Sequence, residues 1–180
     1  MERLKRNPAG WGLVLGGAVI AASTLFTWFV VEGDGGEERI RAIEAVSGQT
    51  IMFLGVAALI CGVLVMISLG KGKYVWATLG LLASAVAVGA AVWGIVDIDG
   101  LAARFADVEA FSTLITFSAD GVASRGVAVG DAFEQGTISA RPAIGMFVAL
   151  AGGLLAMAGA LLSYRYTPPV ADRTIYEREG

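Results

Sequence analysis

Four stretches of this chain run without a single Asp, Glu, Lys, Arg or His: 7–31, 45–70, 74–96 and 142–164. The last lies between Arg141 and Arg165 in RPAIGMFVALAGGLLAMAGALLSYR and has 23 such residues. At about 1.5 Å of rise per helical residue, that is enough to cross a hydrocarbon core of roughly 30 Å. The pattern predicts four membrane-spanning helices at 10–31, 49–70, 74–96 and 142–164. Within them small residues recur at every fourth position. Gly12 and Gly16 do so in the first, Ala83, Ala87 and Ala91 as well as Ala85 and Gly89 in the third. In the fourth, Gly145, Ala149 and Gly153 form one line and Gly152, Ala156 and Ala160 another. Lines of this kind let helices in lipid approach closely, where packing rather than hydrophobicity drives association.

Polar sequence fills the gaps. Residues 1–9 are a basic leader with Arg3, Lys5 and Arg6, and the apolar run after it is longer than the core of a secretory signal. That run ends in Thr27-Trp28-Phe29-Val30-Val31, a poor cleavage context, so it reads as a retained span. Residues 32–48 form an acidic first loop, in which Ile40, Ile43 and Val46 space helically and predict a turn or two of helix over 37–46. Residues 71–73 close a tight turn between spans two and three. Residues 97–141 make the one substantial loop, 45 residues long. Leu101, Phe105, Val108, Phe111 or Ser112, and Ile115 in it fit an amphipathic helix. Residues 113–118 and 122–129 fit a β-hairpin about Asp120-Gly121. Both readings stand. Pro142 suits a first helical turn, and the tail 165–180, with Pro168-Pro169, is expected to be disordered.

Composition agrees with a membrane protein: 56% of the residues are hydrophobic and 16% charged, against about 25% charged in soluble domains. Charge also orients the chain. Leader, turn and tail hold 8 Lys/Arg and 4 acids, whereas the two longer loops hold 5 and 12. By the positive-inside rule both termini are cytoplasmic and both acidic loops lie outside. Trp11, Tyr74, Trp76, Tyr164 and Tyr166 then fall at the inner interface, with Trp28 and Trp93 at the outer one.

Candidate chemistry is sparse. The predicted spans hold no Asp, Glu, Lys, Arg or His, so the usual marker of a coupled transport path is missing. Ser23, Thr24, Thr27, Gln49, Thr50 and Ser68 are expected to bond back to carbonyls of their own helices. The absence of histidine removes the commonest general base. Cys61 is alone in apolar sequence and reads as a small core hydrophobe. Glu32-x-Asp34-x-x-Glu37 offers oxygen ligands to a hard cation, but its spacing is not that of an EF-hand, and a solvated acidic surface explains it as well. Gly126 to Gly130 lacks the Lys-Ser/Thr of a phosphate loop. No metal, cofactor or nucleic acid is expected.

In its Thr27-Trp28-Phe29 edge, its Gly70-Lys71-Gly72-Lys73 hairpin and its Gly145-x-x-x-Ala149-x-x-Gly152-Gly153 last span, the chain resembles small four-span membrane proteins of high-GC Gram-positive bacteria. The tryptophan-operon-associated membrane proteins are one such group. Two outer loops and inner termini also make it similar in layout to claudins. It lacks the Trp-Gly-Leu-Trp and paired cysteines that claudins carry in the first loop.

The sequence thus predicts an all-α, four-transmembrane-helix bundle in a bacterial plasma membrane, capped outside by the second outer loop. Gly12, Gly16, Ala83, Ala87, Gly145, Ala149, Gly152, Gly153, Ala156 and Ala160 are its expected packing residues. Phe105, Phe111, Phe117 and Phe133 are the expected contacts of the cap. The expected role is non-enzymatic: a structural or accessory subunit bound to another copy of itself or to a membrane or extracytoplasmic partner. The alternative is a subunit of an oligomeric passive channel or transporter.

Overall fold

A computed structural model describes residues 8–33, 36–44, 46–68, 71–100 and 138–165. Four helices, α1 (Pro8–Ser23), α2 (Val46–Ile67), α3 (Lys71–Val96) and α4 (Ile144–Arg165), form a bundle. Each packs on two neighbours in the cyclic order α1, α2, α3, α4, so that first and last helices are adjacent. Three strands, β1 (Thr27–Gly33), β2 (Gly36–Arg41) and β3 (Ile138–Pro142), form one antiparallel sheet in the order β2-β1-β3. A short 3-10 turn, Ala42–Glu44, leads from β2 towards α2.

Among the described residues three helices are long and apolar enough to cross a membrane, with α2, α3 and α4 qualifying at 48–67, 72–96 and 144–165. The sorting of side chains by size agrees. Inside the bundle lie Ala58, Ala77, Ala87, Ala91, Ala149, Ala156 and Ala160, while Phe53, Ile60, Leu79, Leu82, Leu154, Leu161 and Leu162 point outward. Water would favour burying the large chains; lipid does not distinguish them, and close backbone approach favours small ones inside. A few larger chains, among them Leu13, Ile20, Val65 and Met146, are also buried. Leu13 lies between α1 and α3. It is fully buried and reaches across to Gly80 of α3, where a Cβ would stand 2.8 Å from its Cδ2 atom.

The helical class stands, but the all-α reading lacked the three-stranded sheet. The helix of the first apolar run ends at Ser23, not Val31, and the rest of that run is strand. Segment 36–41 is also strand where a helical turn was expected, because Ile40 pairs across to Phe29 and faces the core. Pro142 closes β3 instead of opening α4. It sits on an outer strand of the sheet, where the N–H it lacks is not needed by the ladder. The leader 1–7, the helix and hairpin readings of 101–129, Phe105, Phe111, Phe117, Phe133 and the tail 166–180 lie outside the described residues.

Candidate functional site

The sheet grows directly out of the end of α1. That helix stops early: Ile20 is level with Gly152, where a Cβ would lie 2.9 Å from the Ile20 nitrogen. From Gly152, α4 runs about 12 Å further towards the sheet, whereas α1 has only three residues left. The last carbonyls of a helix have no partner within it, and inside a bundle they must find one elsewhere. Every one of them has a partner. The Ser23 hydroxyl donates to the Ile20 carbonyl at 2.6 Å and the Thr24 hydroxyl to Ala21 at 2.7 Å. The N–H groups of Leu25 and Phe26 donate to Ala22 and Ser23, both at 3.1 Å. Trp28 Nε1–H adds a second bond to the Ser23 carbonyl at 2.9 Å, and the Ile43 N–H reaches the Thr24 carbonyl at 3.1 Å.

Trp28 can make that bond because it is the extra residue of a β-bulge between Thr27 and Phe29. A bulge lets two consecutive residues turn to the same side. Trp28 and Phe29 are both buried, at 4% and 0% exposure, so Trp28 is a core residue and not part of an outer aromatic belt. Gly145 is where its ring packs, since any Cβ there would collide with Trp28. Phe29, Val31 and Ile40 form the inner face of the sheet, in one cluster with Ile51 of α2 and Met146 of α4. The Ala143 N–H donates to the Trp28 carbonyl at 2.8 Å and ties the start of α4 to β1.

The outer face is charged and ordered by height. Its lowest rung, nearest the bundle, pairs Thr27 with Arg41; the next polar rung sets Arg39 and Arg141 on either side of Val30; above it stand Glu37, Glu32 and Ser139. Arg141 Nε lies 2.8 Å from Glu32 and its Nη2 lies 3.4 Å from Glu37, which Arg39 Nε also meets at 3.3 Å. One arginine on β3 therefore clasps both strands of the hairpin. An open pocket of about 240 Å³ lies beside them, lined by Thr27, Val30, Glu37, Arg39, Arg141, Ala143 and Ile144. Glu32 and Glu37, offered above as cation ligands, instead hold arginines, and Asp34 lies outside the described residues. On β3, the Ala140 N–H donates to Asp99 Oδ1 at 3.1 Å, so a carboxylate covers part of that edge.

Most of the predicted packing residues fall into two seams, α1–α4 and α3–α4, whereas Gly145 packs on Trp28. A Cβ on Gly12 would lie 2.7 Å from the Cα of Gly159, and one on Gly16 2.6 Å from the Gly152 carbonyl and against Ala156, which joins α1 to α4. Gly17, one residue on, makes the equivalent approach to Gly55 of α2. Gly153 faces Val88 of α3; Ala87, Ala149, Ala156 and Ala160 are fully buried, and Ala83 is half-buried. The seams hold the bundle together from within. Of the side chains expected to bond back to their helices, Ser23 and Thr24 do so, whereas Thr27 lies on β1; Ser84 and Ser163 make the same kind of bond. The arginine–glutamate cluster was not singled out in the sequence. Alternation of charge with Val30 and Ile40 could have signalled it, but only pairing across the three strands brings Arg141 there.

No protein-family model, curated protein or solved structure matches the chain.

Proposed function

We propose that this chain is a four-span membrane protein with both termini cytoplasmic, α1 and the strand root above it completing the first span. In this reading the sheet is an extracytoplasmic cap on a bacterial plasma membrane protein. Its role is that of a non-enzymatic structural or accessory subunit, associated with itself or with a membrane or extracytoplasmic partner. The observation that carries this reading is the union of two connections, distant in sequence, into one sheet whose inner face is continuous with the bundle core. Loops that merely linked spans would need no such platform. Helix seams closed by backbone contact leave a single copy little room for a solute path, which favours a scaffold over a transporter.

A second reading, a subunit of an oligomeric passive channel, draws on α3. There Ala85, Gly89 and Ala90 face outward, and a Cβ on Gly89 would meet nothing. The deciding experiment is extraction of the full chain in mild detergent or native nanodiscs, followed by mass analysis of the intact assembly. A stoichiometric partner supports the accessory subunit. A pure homo-oligomer that passes solute in vesicles supports the channel, and a lone monomer defeats both.

A further inference from the structure

The vertical order of charge on the outer face of the sheet calls for an explanation. Arg41, Arg39 and Arg141 occupy the rungs nearest the bundle, and Glu32 and Glu37 the rung further away. Ion pairing alone would be satisfied by the reverse order. Directly below the pocket, α4 begins with Ile144, which is 60% exposed and opens the charge-free run of that helix. Arg141 is three residues from it, so its guanidinium stands where hydrocarbon gives way to headgroups, a layer only several ångströms deep. That layer is rich in phosphate.

We infer that Arg39 and Arg141, bracketing Val30, form a binding site for the phosphate of a phospholipid in the adjoining leaflet, with its acyl chains running down past Ile144 and Phe147. The inference rests on the membrane reading of the bundle. Arginine suits the task because its planar fork binds phosphate oxygens with paired N–H donors. Val30 is only 7% exposed between the two arginines, although it belongs to the outer face. The stems of long cationic chains cover apolar surface in this way while their heads stay in a polar layer. Glu32 and Glu37 approach from the far side and hold Arg141 in place. With Arg41 on the rung below, the outer face carries three arginines against Glu32 and Glu37, a net positive charge that favours an anionic headgroup over a zwitterionic one. Arginines close to a membrane surface add electrostatic attraction to anionic lipid.

The test is retention of phosphatidylglycerol by the full-length protein from mixed micelles with phosphatidylcholine, read by native mass spectrometry. Wild type is expected to keep phosphatidylglycerol preferentially, and the double variant R39Q/R141Q to lose that retention about tenfold or more. Arg141 also joins strands, so Glu37→Gln serves as control: it breaks ion pairs but keeps both arginines, and retention should hold or rise. Unchanged retention in R39Q/R141Q overturns the inference. So does an equal loss in Glu37→Gln, which would make the cluster a strand clasp only. Displacement of the lipid by equimolar inorganic phosphate would assign the site to a soluble anion instead. The micelle assay does not depend on which side the sheet faces or on any protein partner, so its failure is distinct from failure of the proposed role.

Discussion

Gly16 of α1 lies directly against Ala156 of α4, so close that a Cβ on the glycine would collide with the alanine's backbone nitrogen. Backbone cannot move aside as a flexible side chain can. Gly16→Leu should therefore cost at least about 3 kcal/mol or prevent the bundle from closing. Gly89→Leu, on the open side of α3, should change stability by no more than about 0.5 kcal/mol. Thermal unfolding in detergent, followed by circular dichroism, compares the two; equal effects would contradict the packing described.

Trp28 combines volume with one polar bond. Trp28→Phe removes the indole N–H, but the Ser23 carbonyl keeps the Phe26 N–H, so the loss should be near 1 kcal/mol. Trp28→Ala also opens a cavity beside Gly145 and should cost about 3–5 kcal/mol. The same unfolding measurement on both variants separates the bond from the packing.

Orientation is open to chemical labelling. Cys61 is buried and is the chain's single thiol, so Cys61→Ser gives a cysteine-free background. Ser139 on β3 is exposed, and Ser139→Cys in that background should react with a membrane-impermeant maleimide added to intact cells. Reaction only after permeabilisation would place the sheet in the cytoplasm and reverse the topology.

At the opposite end of the bundle, Tyr164 of α4 stacks on Tyr74 of α3 with ring centres 5.7 Å apart, and its hydroxyl lies 2.5 Å from the Thr78 hydroxyl. Tyr164→Phe keeps the stack and loses the bond, at about 0.5–1.5 kcal/mol. Tyr164→Ala loses both and should loosen α3 from α4. Tyrosine fluorescence and thermal unfolding read the difference.

The later helices were legible because each is one uninterrupted apolar run between charges: 49–70, 74–96 and 142–164 were expected, and Val46–Ile67, Lys71–Val96 and Ile144–Arg165 are observed. The first run misled because it joins two structures. Apolarity does not distinguish a buried helix from a buried strand, and only the β-branched and aromatic cluster Thr27-Trp28-Phe29-Val30-Val31 carried the signal of a switch. The sheet was hidden for a different reason. β1 and β3 are separated by more than a hundred residues, and no local pattern announces that Arg141 will stand beside Val30. The small-residue lines were visible in the sequence, yet their partners within the bundle were not.

The adjacency of α1 and α4 sets the order in which the protein can be completed. Of the four described helices a ribosome delivers α1 before the others and α4 after them, and the central strand β1 waits similarly for β3. Until the fourth helix is inserted, the glycine groove of α1 lies open and one side of β1 has no ladder. A chain cut short before Ile138 leaves α1 without its main neighbour and its glycines facing an unfilled groove.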